Sequence, residues 1–403
     1  MLFWKLVFWT SCLIVFYNYA GYAIIIFLIN KFKNKKNSLT LIDYHPSISF
    51  IVAAFNEEDC IERKIVNSLE QIYPTNKIEY IFITDGSTDS TADIIKKYPA
   101  IQLLHSSERK GKSAALNRAA ASAQNDILVF SDANTHLNKE ACLNISQHYF
   151  DKSVGGVAGE KKVIALHNQH HNATSSEGFY WKYESLLKKL DSDFHTVVGA
   201  AGELFSVRKK LYQSVPSEVI LDDFIISMKI AQQGFRIVYE PNAYAMELPS
   251  FSMEDEKKRK IRIAAGGFQA MAMLPTALFF WKHPKLSFLY ISHRVLRWTL
   301  SPLCLVLALL SSLILSIFSV QYFYIIAFIT QFLFYFCAFL YGAFPGLGSK
   351  IAIIKLPYYF SFMNISVFQG FFKFIQKKQS SAWEKAKRTN YTLPEAKNTD
   401  FYS

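Results

Sequence analysis

The chain has 403 residues, and its content of 51% hydrophobic and 16% aromatic residues is higher than an ordinary soluble enzyme carries. Its formal net charge of +12 indicates a negatively charged partner: nucleic acid, an acidic membrane surface or a phosphorylated substrate. The positions of the charges along the chain decide among these three.

Residues 1–37 are predicted to be a transmembrane anchor with a basic flank. Residues 6–30 contain no charged side chain, and a helix needs only about 20 apolar residues to cross the hydrocarbon core. The charges follow the apolar run, whereas those of a cleaved signal peptide precede it. We therefore expect an uncleaved anchor whose downstream end faces the cytoplasm, where its lysines lie: Lys31, Lys33, Lys35 and Lys36.

Strand and helix patterns alternate through residues 45–255. Short apolar runs rich in β-branched residues predict strands at 47–55, within 78–91, at 101–104 and at 126–131. Helical spacing of apolar residues predicts helices at 58–72, 91–98 and 112–124. This alternation with short connections predicts an α/β domain with a mostly parallel sheet covered on both faces. Ligands of such sheets bind outside the carboxyl ends of the strands.

Polar side chains stand at three of these strand ends: Asn56, Asp85 and Asp132. Each has a purely structural explanation on its own, because Asp-Gly-Ser is common turn chemistry and Asp132 can cap a helix. Lys112, in a Gly-Lys pair before a helix, can simply be solvated. Together they suit a sugar nucleotide: a carboxylate for the base or ribose, Lys112 for phosphate, and Asp132 as a hard ligand for a divalent cation. Asn134 is expected to point the same way as Asp132 on an extended segment.

Asp222 and Asp223 stand at a predicted helix start. Acidic residues in a first turn ordinarily complement the helix dipole. The functional interpretation makes one of them the base that removes a proton from an acceptor hydroxyl, while its neighbour raises its pKa toward the working pH. The small residues of 199–209 offer an acceptor close approach to the backbone, or form a tight turn before a strand.

Two groups of metal-binding residue types are not assigned to a metal. His167, His170 and His171 lie in a polar segment and are interpreted as a solvated loop. The five cysteines include no CxxC pair, so neither a disulfide framework nor a structural zinc site is predicted.

Residues 256–295 combine an Arg-rich segment with an apolar stretch. That stretch, residues 268–291, is predicted to be one interfacial helix with its basic residues at the lipid headgroups. Membrane contact and phosphate binding then account for much of the positive charge, and no nucleic-acid-binding motif is present.

Residues 296–375 are predicted to be a C-terminal transmembrane region, followed by a basic cytoplasmic tail at 376–403. The region holds two uncharged spans, about 299–319 and 321–342. If the domain and the tail are both cytoplasmic, the number of spans between them must be even. A third apolar run, 351–375, is interrupted by a lysine and a proline, so we expect it to lie in the interface or to re-enter.

Six short motifs occur in a fixed order: AAFNEE (53–58), TDGSTDST (84–91), KGKSAALN (110–117), SDAN (131–134), LDDF (221–224) and KKRKIRIAAGGFQ (257–269). In this order they resemble the membrane-embedded family 2 glycosyltransferases, the group of cellulose, chitin, hyaluronan and poly-N-acetylglucosamine synthases. The similarity covers about residues 45–275 by motif and the flanking spans by layout. It implies a cytosolic GT-A (Rossmann-like) domain flanked by transmembrane helices, a UDP-sugar donor, and Mg²⁺ or Mn²⁺.

The resemblance also implies roles for residues at the nucleotide. By position, Ala54, Phe55 and Glu57 match the stretch that contacts the uridine. Asp85 matches the aspartate that binds the base, and Lys112 matches a lysine near the nucleotide.

Further roles follow from the later motifs. Asp132 and Asn134 match the Asp-x-Asp pair that handles donor and metal. Asp223 matches the aspartate of the Thr-Glu-Asp motif, the general base for the acceptor hydroxyl, and Asp222 takes the place of that motif's glutamate.

Three positions depart from the family pattern. Ala53 replaces the usual proline before the first motif, and Asn134 replaces the second aspartate, which makes metal ligation less charged. The Gln-x-x-Arg-Trp motif of processive synthases becomes Arg259-x-x-Arg262-Ile263, without the tryptophan that helps to hold the acceptor sugar. Arg259 and Arg262 can still neutralise the diphosphate leaving group.

The expected function is that of a metal-dependent, inverting hexosyltransferase of the plasma (inner) membrane, with a cytoplasmic catalytic domain. It would move a sugar from a UDP-sugar to a glycan or lipid-linked acceptor in cell-surface or extracellular polysaccharide synthesis, with possible synthase or export partner subunits. Polymerisation and single transfer both stay open. The alternative is a catalytically inactive nucleotide-sugar-binding scaffold of a synthase complex.

Overall fold

The computed structural model describes residues 1–33, 44–163, 173–248, 253–344 and 355–377, with side chains omitted for 173–179. Three groups of predicted features lie outside the described residues: Lys35 and Lys36 of the basic flank, the three histidines at 167–171, and the tail beyond residue 377.

A long apolar rod precedes the domain. Helices α1 (Leu2–Phe16) and α2 (Tyr22–Phe32) are joined by a π-helical turn at Tyr17–Gly21. Leu2–Phe32 is long and apolar enough to cross a membrane. At 1.5 Å per residue its length exceeds the roughly 30 Å hydrocarbon core. The expected apolar anchor helix is present, and the sequence pattern carried no sign of the π-helical turn.

One eight-stranded sheet organises the domain, and its order is β3-β2-β1-β4-β7-β6-β8-β5. Its strands are β1 (Ile48–Ala54), β2 (Ile78–Asp85), β3 (Ile101–Ser106), β4 (Ile127–Asp132), β5 (His136–Leu137), β6 (Val154–Val163), β7 (Leu204–Arg208) and β8 (Arg236–Glu247). The first four strands are mutually parallel, and β6 is parallel to β8. The pairs β4–β7, β6–β7 and β5–β8 are antiparallel. The sheet is therefore mostly parallel, with an antiparallel insertion.

Helices cover both faces of this sheet. They are α3 (Ile61–Leu69), α4 (Thr91–Lys96), α5 (Lys112–Ser122), α6 (Ala141–Gln147), α7 (Ala173–Phe194) and α8 (Asp222–Gln232). All seven residues of β1 are buried, because the central strand has a helix layer on each side. Its alternate side chains enter two separate cores, with Ile51 in one and Phe50 in the other. Burying each such side chain contributes about 1.5–3 kcal/mol.

The segment after the sheet differs from the prediction in one way. Helix α9 (Met253–Met273) spans the predicted domain boundary at 255/256, which stays a prediction. The single interfacial helix predicted at 268–291 is wrong. A 3₁₀ turn at Pro275–Leu278 and a short helix α10 (Pro284–Tyr290) follow α9. Pro275 and Pro284 lack the N–H that a continuous helix needs, so each begins a new turn.

The C-terminal helices follow the predicted spans closely. After a π-helical turn at Ile291–Val295 and the short helix α11 (Leu296–Trp298) come α12 (Leu300–Phe318) and α13 (Tyr322–Ala343). Both α12 and α13 are long and apolar enough to cross a membrane.

Helix α14 (Lys355–Ile375) packs along α9 and α13. A Cβ at Gly370 would lie 2.5 Å from Ala264 Cβ, so the glycine permits this close approach. This position against α9 is compatible with the predicted interfacial run.

A buried polar network joins the apolar rod to the domain. Asp191 of α7 is fully buried and accepts hydrogen bonds from Tyr22 Oη at 2.5 Å and from His293 Nδ1 at 2.6 Å. Close by, Glu184 pairs with Arg294 and Arg297. A buried charge is tolerated only when it is paired, so this network fixes where the rod meets the domain.

Candidate functional site

The strand ends meet as the sequence predicted. In the parallel register Ala54 lies beside Thr84, next to Asp85, and Ala53 lies beside Asp132. The carboxyl ends of β1, β2 and β4 therefore form one edge. Asn56, just after β1, has a positive φ of 52°.

Asp85 shapes the loop before α5. Its Oδ2 accepts hydrogen bonds from the backbone N–H groups of Lys110 at 2.9 Å and Gly111 at 2.6 Å. Its Oδ1 accepts one from Arg118 Nη2 at 3.2 Å. A carboxylate has about four acceptor positions, so one position is left for a ligand.

A pocket opens beside Asp85, and an aromatic ring stacked on a guanidinium forms its edge. The Arg109 guanidinium carbon lies 3.8 Å from the centroid of the Phe55 ring. Gly86, at φ +71°, is required here, since a Cβ on it would lie 2.6 Å from Arg109 Cβ. The pocket lining consists of Ala53, Ala54, Phe55, Asp85, Arg109, Gly111, Lys112 and Ala115.

Glu57 is not part of this lining. Only 1% of its surface is exposed, and its carboxylate accepts a hydrogen bond from Cys60 Sγ at 3.1 Å. Its carbonyl oxygen accepts the N–H groups of Cys60 and Ile61 where α3 begins. Glu57 therefore supports the turn where α3 begins, and its expected contact with a nucleotide stays a prediction.

Lys112 and Asp132 form the centre of the site. Lys112, the first residue of α5, donates from Nζ to Asp132 Oδ1 at 2.6 Å. Burial would lower the pKa of Lys112, but the charges of Asp132 and Asp222 outweigh it and raise the pKa. Burial raises the pKa of Asp132. A fixed ammonium at a helix start is a suitable partner for phosphate.

Asp222 and Asp223 begin α8, as the sequence predicted. Asp222 is 5% exposed, whereas Asp223 is partly exposed and accepts the Phe224 N–H at 2.7 Å. Burial and then the charge of Asp222 raise the pKa of Asp223 to about 7. A carboxylate with that pKa can accept a proton near neutral pH.

Gly202 lies against both Asp223 and Lys112. A Cβ built on Gly202 would lie 3.2 Å from Asp223 Oδ2 and 3.3 Å from Lys112 Nζ, closer than ordinary van der Waals contact. The missing side chain of this glycine therefore lets the carboxylate and the ammonium both pack next to it.

Three charged residues that sequence reasoning missed lie beside Asp132. Lys161 of β6, 3% exposed, donates from Nζ to Glu203 Oε1 and Glu247 Oε2. Burial would raise the pKa of Glu203, but the charge of Lys161 lowers it to about 2. Glu203 lies within the small-residue stretch 199–209, and Glu247 ends β8, so an acidic residue at a strand end was the available signal.

Asn134 is in a turn after β4, not on the extended segment that the sequence predicted. Its Nδ2 donates to Glu247 Oε1 at 2.8 Å. Asp132 Oδ1 instead faces Lys112, so the two side chains have different partners.

Of the two predicted arginines, Arg259 reaches the site. Its guanidinium pairs with Glu256, and its charge lowers the pKa of both Glu203 and Glu247. Arg262 has a buried Nε for which the described part of the chain offers no hydrogen-bond acceptor, and no contact there joins it to the site.

Residues 294–298 form an Arg-x-x-Arg-Trp sequence that has its tryptophan. It lies downstream of Arg259-x-x-Arg262-Ile263, the match predicted from the sequence. The Trp298 ring packs against Phe224, the neighbour of Asp223, with a centroid distance of 5.7 Å. A Cβ on Gly267 would lie 2.7 Å from Trp298 Cδ2, so this glycine makes room for the ring. Trp298 thus supports the start of α8.

The donor set suits a divalent cation bound together with phosphates. Mg²⁺ sites commonly use one or two carboxylates plus substrate phosphates, with water completing the shell. Asp132 offers a carboxylate and Asn134 an amide oxygen. Among the described residues no three His, Cys, Asp or Glu side chains are arranged to hold an ion by themselves. The residues therefore fit a cation that arrives with a phosphorylated ligand.

Residues 49–215 match the family model described as "Glycosyl transferase family 2". This range runs from the second residue of β1 to beyond the end of β7, and it includes every strand-end residue of the pocket. It ends just before the helix start that carries Asp222 and Asp223.

Similar proteins include polysaccharide synthases. The poly-beta-1,6-N-acetyl-D-glucosamine synthase of Staphylococcus aureus (strain MSSA476) is 28% identical over 251 residues, which cover 59% of this chain and 58% of that protein. The enzyme of the same name from Staphylococcus epidermidis (strain ATCC 35984) is 26% identical over 231 residues, covering 56% and 55%. The chain thus matches less than two thirds of the length of these relatives.

Among solved structures, the mannosyltransferase PcManGT from Pyrobaculum calidifontis, in complex with GDP-Man and Mn²⁺, is similar with a TM-score of 0.71. The match covers 93% of this chain and 100% of that chain at 21% sequence identity. This likeness establishes the fold, and the predicted GT-A-like domain with flanking apolar helices is confirmed.

Proposed function

We propose that this chain, a family 2 glycosyltransferase of the membrane, transfers a hexose from a UDP-sugar to a hydroxyl group of a glycan or lipid-linked acceptor, with inversion at the anomeric carbon. One observation carries the proposal. A carboxylate with a pKa of about 7, Asp223, lies beside the same glycine, Gly202, as Lys112, which contacts Asp132 at the strand edge.

The nucleotide is assigned to the pocket at the ends of β1 and β2. Asp85 accepts a hydrogen bond from the base through its remaining acceptor position. Ala54 and Phe55 contribute backbone and ring contacts, and Arg109 on the Phe55 ring extends the stacking surface. The pocket leads from Asp85 to Lys112, in the direction that a diphosphate would take.

The diphosphate is assigned to the space beside Lys112 and Asp132. A bound divalent cation, Mg²⁺ or Mn²⁺, supplies positive charge to the diphosphate oxygens, and Asp132 and Asn134 would hold it. Lys112 adds a second positive charge from the protein itself. Arg259 lies close to the Glu203 and Glu247 carboxylates, and it contributes positive charge on that side of the proposed diphosphate site. Arg262 is proposed only as a weaker, indirect contributor.

The transfer step uses Asp223 as general base. The acceptor oxygen attacks the anomeric carbon from the face opposite the diphosphate, and its proton moves to the Asp223 carboxylate. The bond between the anomeric carbon and the diphosphate oxygen breaks, and its electron pair leaves with UDP. Burial, and then the charge of Asp222, keep the pKa of Asp223 high enough for it to accept that proton.

The acceptor is assigned to the surface beside Gly202 and the Asp223 carboxylate. The two staphylococcal relatives make poly-N-acetylglucosamine by name, which favours a glycan product in cell-surface or extracellular polysaccharide synthesis. Trp298 of the downstream Arg-x-x-Arg-Trp sequence packs on Phe224, the neighbour of Asp223, so polymerisation and single transfer both stay open in this proposal. Partner subunits for synthesis or export are part of the same proposal.

The catalytic domain is assigned to the cytoplasmic side of the plasma (inner) membrane. Lys33 follows the apolar rod and its Nζ donates to the carbonyl oxygens of Asp193 and Phe194. The domain therefore lies on the same side as the basic flank, and lysines favour the cytoplasmic side.

A catalytically inactive nucleotide-sugar-binding scaffold is the second candidate, and it is not favoured. Such a protein would retain the pocket at Asp85 and lose either the base or the cation ligand. Here Asp132 and Asp223 are both present, and Lys112 lies close to each of them.

The deciding experiment measures nucleotide release by the detergent-purified chain. A panel of UDP-sugars and GDP-sugars is tested with Mg²⁺, with Mn²⁺ and with EDTA. Asp223→Asn is expected to reduce turnover by about 10²- to 10⁴-fold, the range for a general base, without changing donor affinity. Asp193→Asn, an exposed aspartate on α7, serves as the control and should retain full turnover.

The outcomes separate the candidates. Metal-dependent release from one UDP-sugar that Asp223→Asn abolishes supports the transferase, and the product size then distinguishes polymerisation from single transfer. Tight UDP binding with no turnover for any acceptor mixture favours the scaffold. Preference for a GDP-sugar would correct the base assignment, and no nucleotide binding would refute the proposal.

A further inference from the structure

The amide of Asn134 has a defined orientation. It donates from Nδ2 to Glu247 Oε1 at 2.8 Å, across 113 residues of chain. Glu247 is the last residue of β8, whereas Asn134 is in the turn after β4. The contact therefore joins two strand ends that the sheet brings to the same edge.

Glu247 is itself held in place. Its other oxygen, Oε2, accepts a hydrogen bond from Lys161 Nζ, which also donates to Glu203. The Lys161 side chain is 2% exposed and the Glu247 side chain 24% exposed. With a nearly buried ammonium on one oxygen, the carboxylate is fixed in rotation and presents the other oxygen to Asn134.

This arrangement decides which end of the amide is available to a ligand. An ionised carboxylate accepts hydrogen bonds and donates none, so only the NH₂ end of Asn134 can face it. The carbonyl oxygen Oδ1 is therefore the end left for a cation, and a hard cation binds oxygen, not an amide NH₂.

We infer that Glu247, anchored by Lys161, is a positioning residue that presents the amide oxygen of Asn134 to the divalent cation, and that this chain needs an amide at position 134. The inference rests on the proposed function, because it concerns the same cation. An aspartate at position 134, the residue that the family pattern has there, would place its carboxylate about 3 Å from that of Glu247. Two carboxylates at that distance repel, and one of them takes up a proton or turns away.

The test is a double-mutant cycle on Mn²⁺ binding, measured by electron paramagnetic resonance of Mn²⁺ in the presence of UDP. The four proteins are the wild type, N134D, E247Q and the double variant N134D/E247Q. N134D is expected to bind Mn²⁺ about 10- to 100-fold more weakly although it adds a carboxylate, a typical loss for a disturbed outer-shell partner.

E247Q alone is also expected to bind Mn²⁺ about 10- to 100-fold more weakly than the wild type, but for a different reason. The oxygen of the introduced side-chain amide stays on Lys161, so its NH₂ faces position 134 and forces the Asn134 amide to turn its oxygen away from the cation. In the double variant that same NH₂ donates to the carboxylate introduced at position 134, which restores a hydrogen bond of opposite polarity. Mn²⁺ affinity is expected to return to within about threefold of the wild type, as a large coupling energy requires.

Three results would overturn the inference: N134D binding Mn²⁺ as tightly as the wild type, E247Q binding it unchanged, or the double variant binding no better than either single one. If N134D does not fold, E247Q decides alone, because an unchanged affinity there removes Glu247 from the site. E240Q is the control on the same strand, where Glu240 pairs with His148 at 2.7 Å, and it should leave Mn²⁺ affinity unchanged.

Failure of the proposed function has a different signature. A wild-type chain that binds neither UDP nor Mn²⁺·UDP contradicts the transferase itself. A wild type that binds both, with variants that behave like it, contradicts only the role of Glu247.

Discussion

Lys112 Nζ lies 2.6 Å from Asp132 Oδ1, and each of the two side chains is about one fifth exposed, 21% and 20%. The pair connects the start of α5 with the end of β4, so one lysine both neutralises a strand-end carboxylate and offers N–H groups to the pocket. A phosphorylated ligand therefore meets a positive charge that the fold already holds in position, at little cost in side-chain ordering.

Replacing Lys112 by methionine is expected to weaken donor binding strongly. The change removes the charge-assisted hydrogen bond that Lys112 would donate to the diphosphate. Such a bond is worth about 1.5–3 kcal/mol, which corresponds to a loss of roughly 10- to 150-fold in UDP affinity. Isothermal titration with UDP measures it. Lys110→Met is the matched control, because that side chain is exposed and, among the residues that the structure describes, pairs with Glu108 at 3.0 Å. Equal affinities for the two variants would contradict the role of Lys112.

The rate of transfer is expected to rise with pH through about 7. Asp223 must be ionised to accept a proton, and burial with the charge of Asp222 raises its pKa to about 7. Below that pH the carboxylate is protonated, so kcat/KM falls about tenfold per pH unit. Asp222→Asn removes the like charge, so the pH at which kcat/KM begins to fall should move to a lower value. If that pH is unchanged in Asp222→Asn, a group other than Asp223 controls the fall.

Gly86→Ala is expected to damage the nucleotide pocket specifically. Gly86 has φ +71°, and an added Cβ would lie 2.6 Å from Arg109 Cβ and displace the residue that stacks on Phe55. Gly234→Ala is the matched control, since φ is +90° there and, among the described residues beyond its chain neighbours, no atom lies within 4 Å of an added Cβ. Because both glycines have positive φ, each alanine variant is expected to lower the free energy of unfolding by about 1–2 kcal/mol. Only Gly86→Ala should also lose UDP affinity, and equal losses in both would contradict the assignment of the pocket.

Asp191→Ala is expected to loosen the apolar rod from the domain. The substitution leaves Tyr22 and His293 without their shared acceptor in a buried place, which costs about 3–5 kcal/mol. A lower thermal unfolding midpoint in detergent measures it. Asp193→Ala, two residues on and exposed, should unfold like the wild type. A midpoint unchanged by Asp191→Ala would mean that the network adds nothing to stability.

The parallel half of the sheet was predictable because its strands carry strong local patterns. Ile48–Ala54 is a continuous apolar run rich in β-branched residues, and such a run suits a strand buried on both faces. The other half of the sheet, formed by β5 to β8, has no comparable signal. Val154–Val163 contains two adjacent glycines and two adjacent lysines, and its pairing with β8 is set by contacts about 80 residues away along the chain.

The candidate site divides in the same way. Asp85, Asp132 and Asp223 were found because each stands where a predicted strand ends or a predicted helix begins. Glu203, Glu247 and Lys161 were missed because they act as a group only after folding. Lys161 is 42 residues from one partner and 86 from the other, and a lysine inside a strand signals nothing by itself. Glu57 was assigned by motif position, and its burial depends on how α3 packs.

The π-helical turn at Tyr17–Gly21 has a consequence for biogenesis. Asn18 in this turn donates to the Ser292 carbonyl oxygen, and Tyr17 bonds to the Ser292 hydroxyl, across 274 and 275 residues. At a synthesis rate of about 5–20 residues per second, the partner of Asn18 leaves the ribosome roughly 14–55 s after it. During that interval the first helix carries an unpaired amide within an apolar segment. We expect another polar helix or an insertion factor to shield the Asn18 amide until the second π-helical turn, Ile291–Val295, has been synthesised.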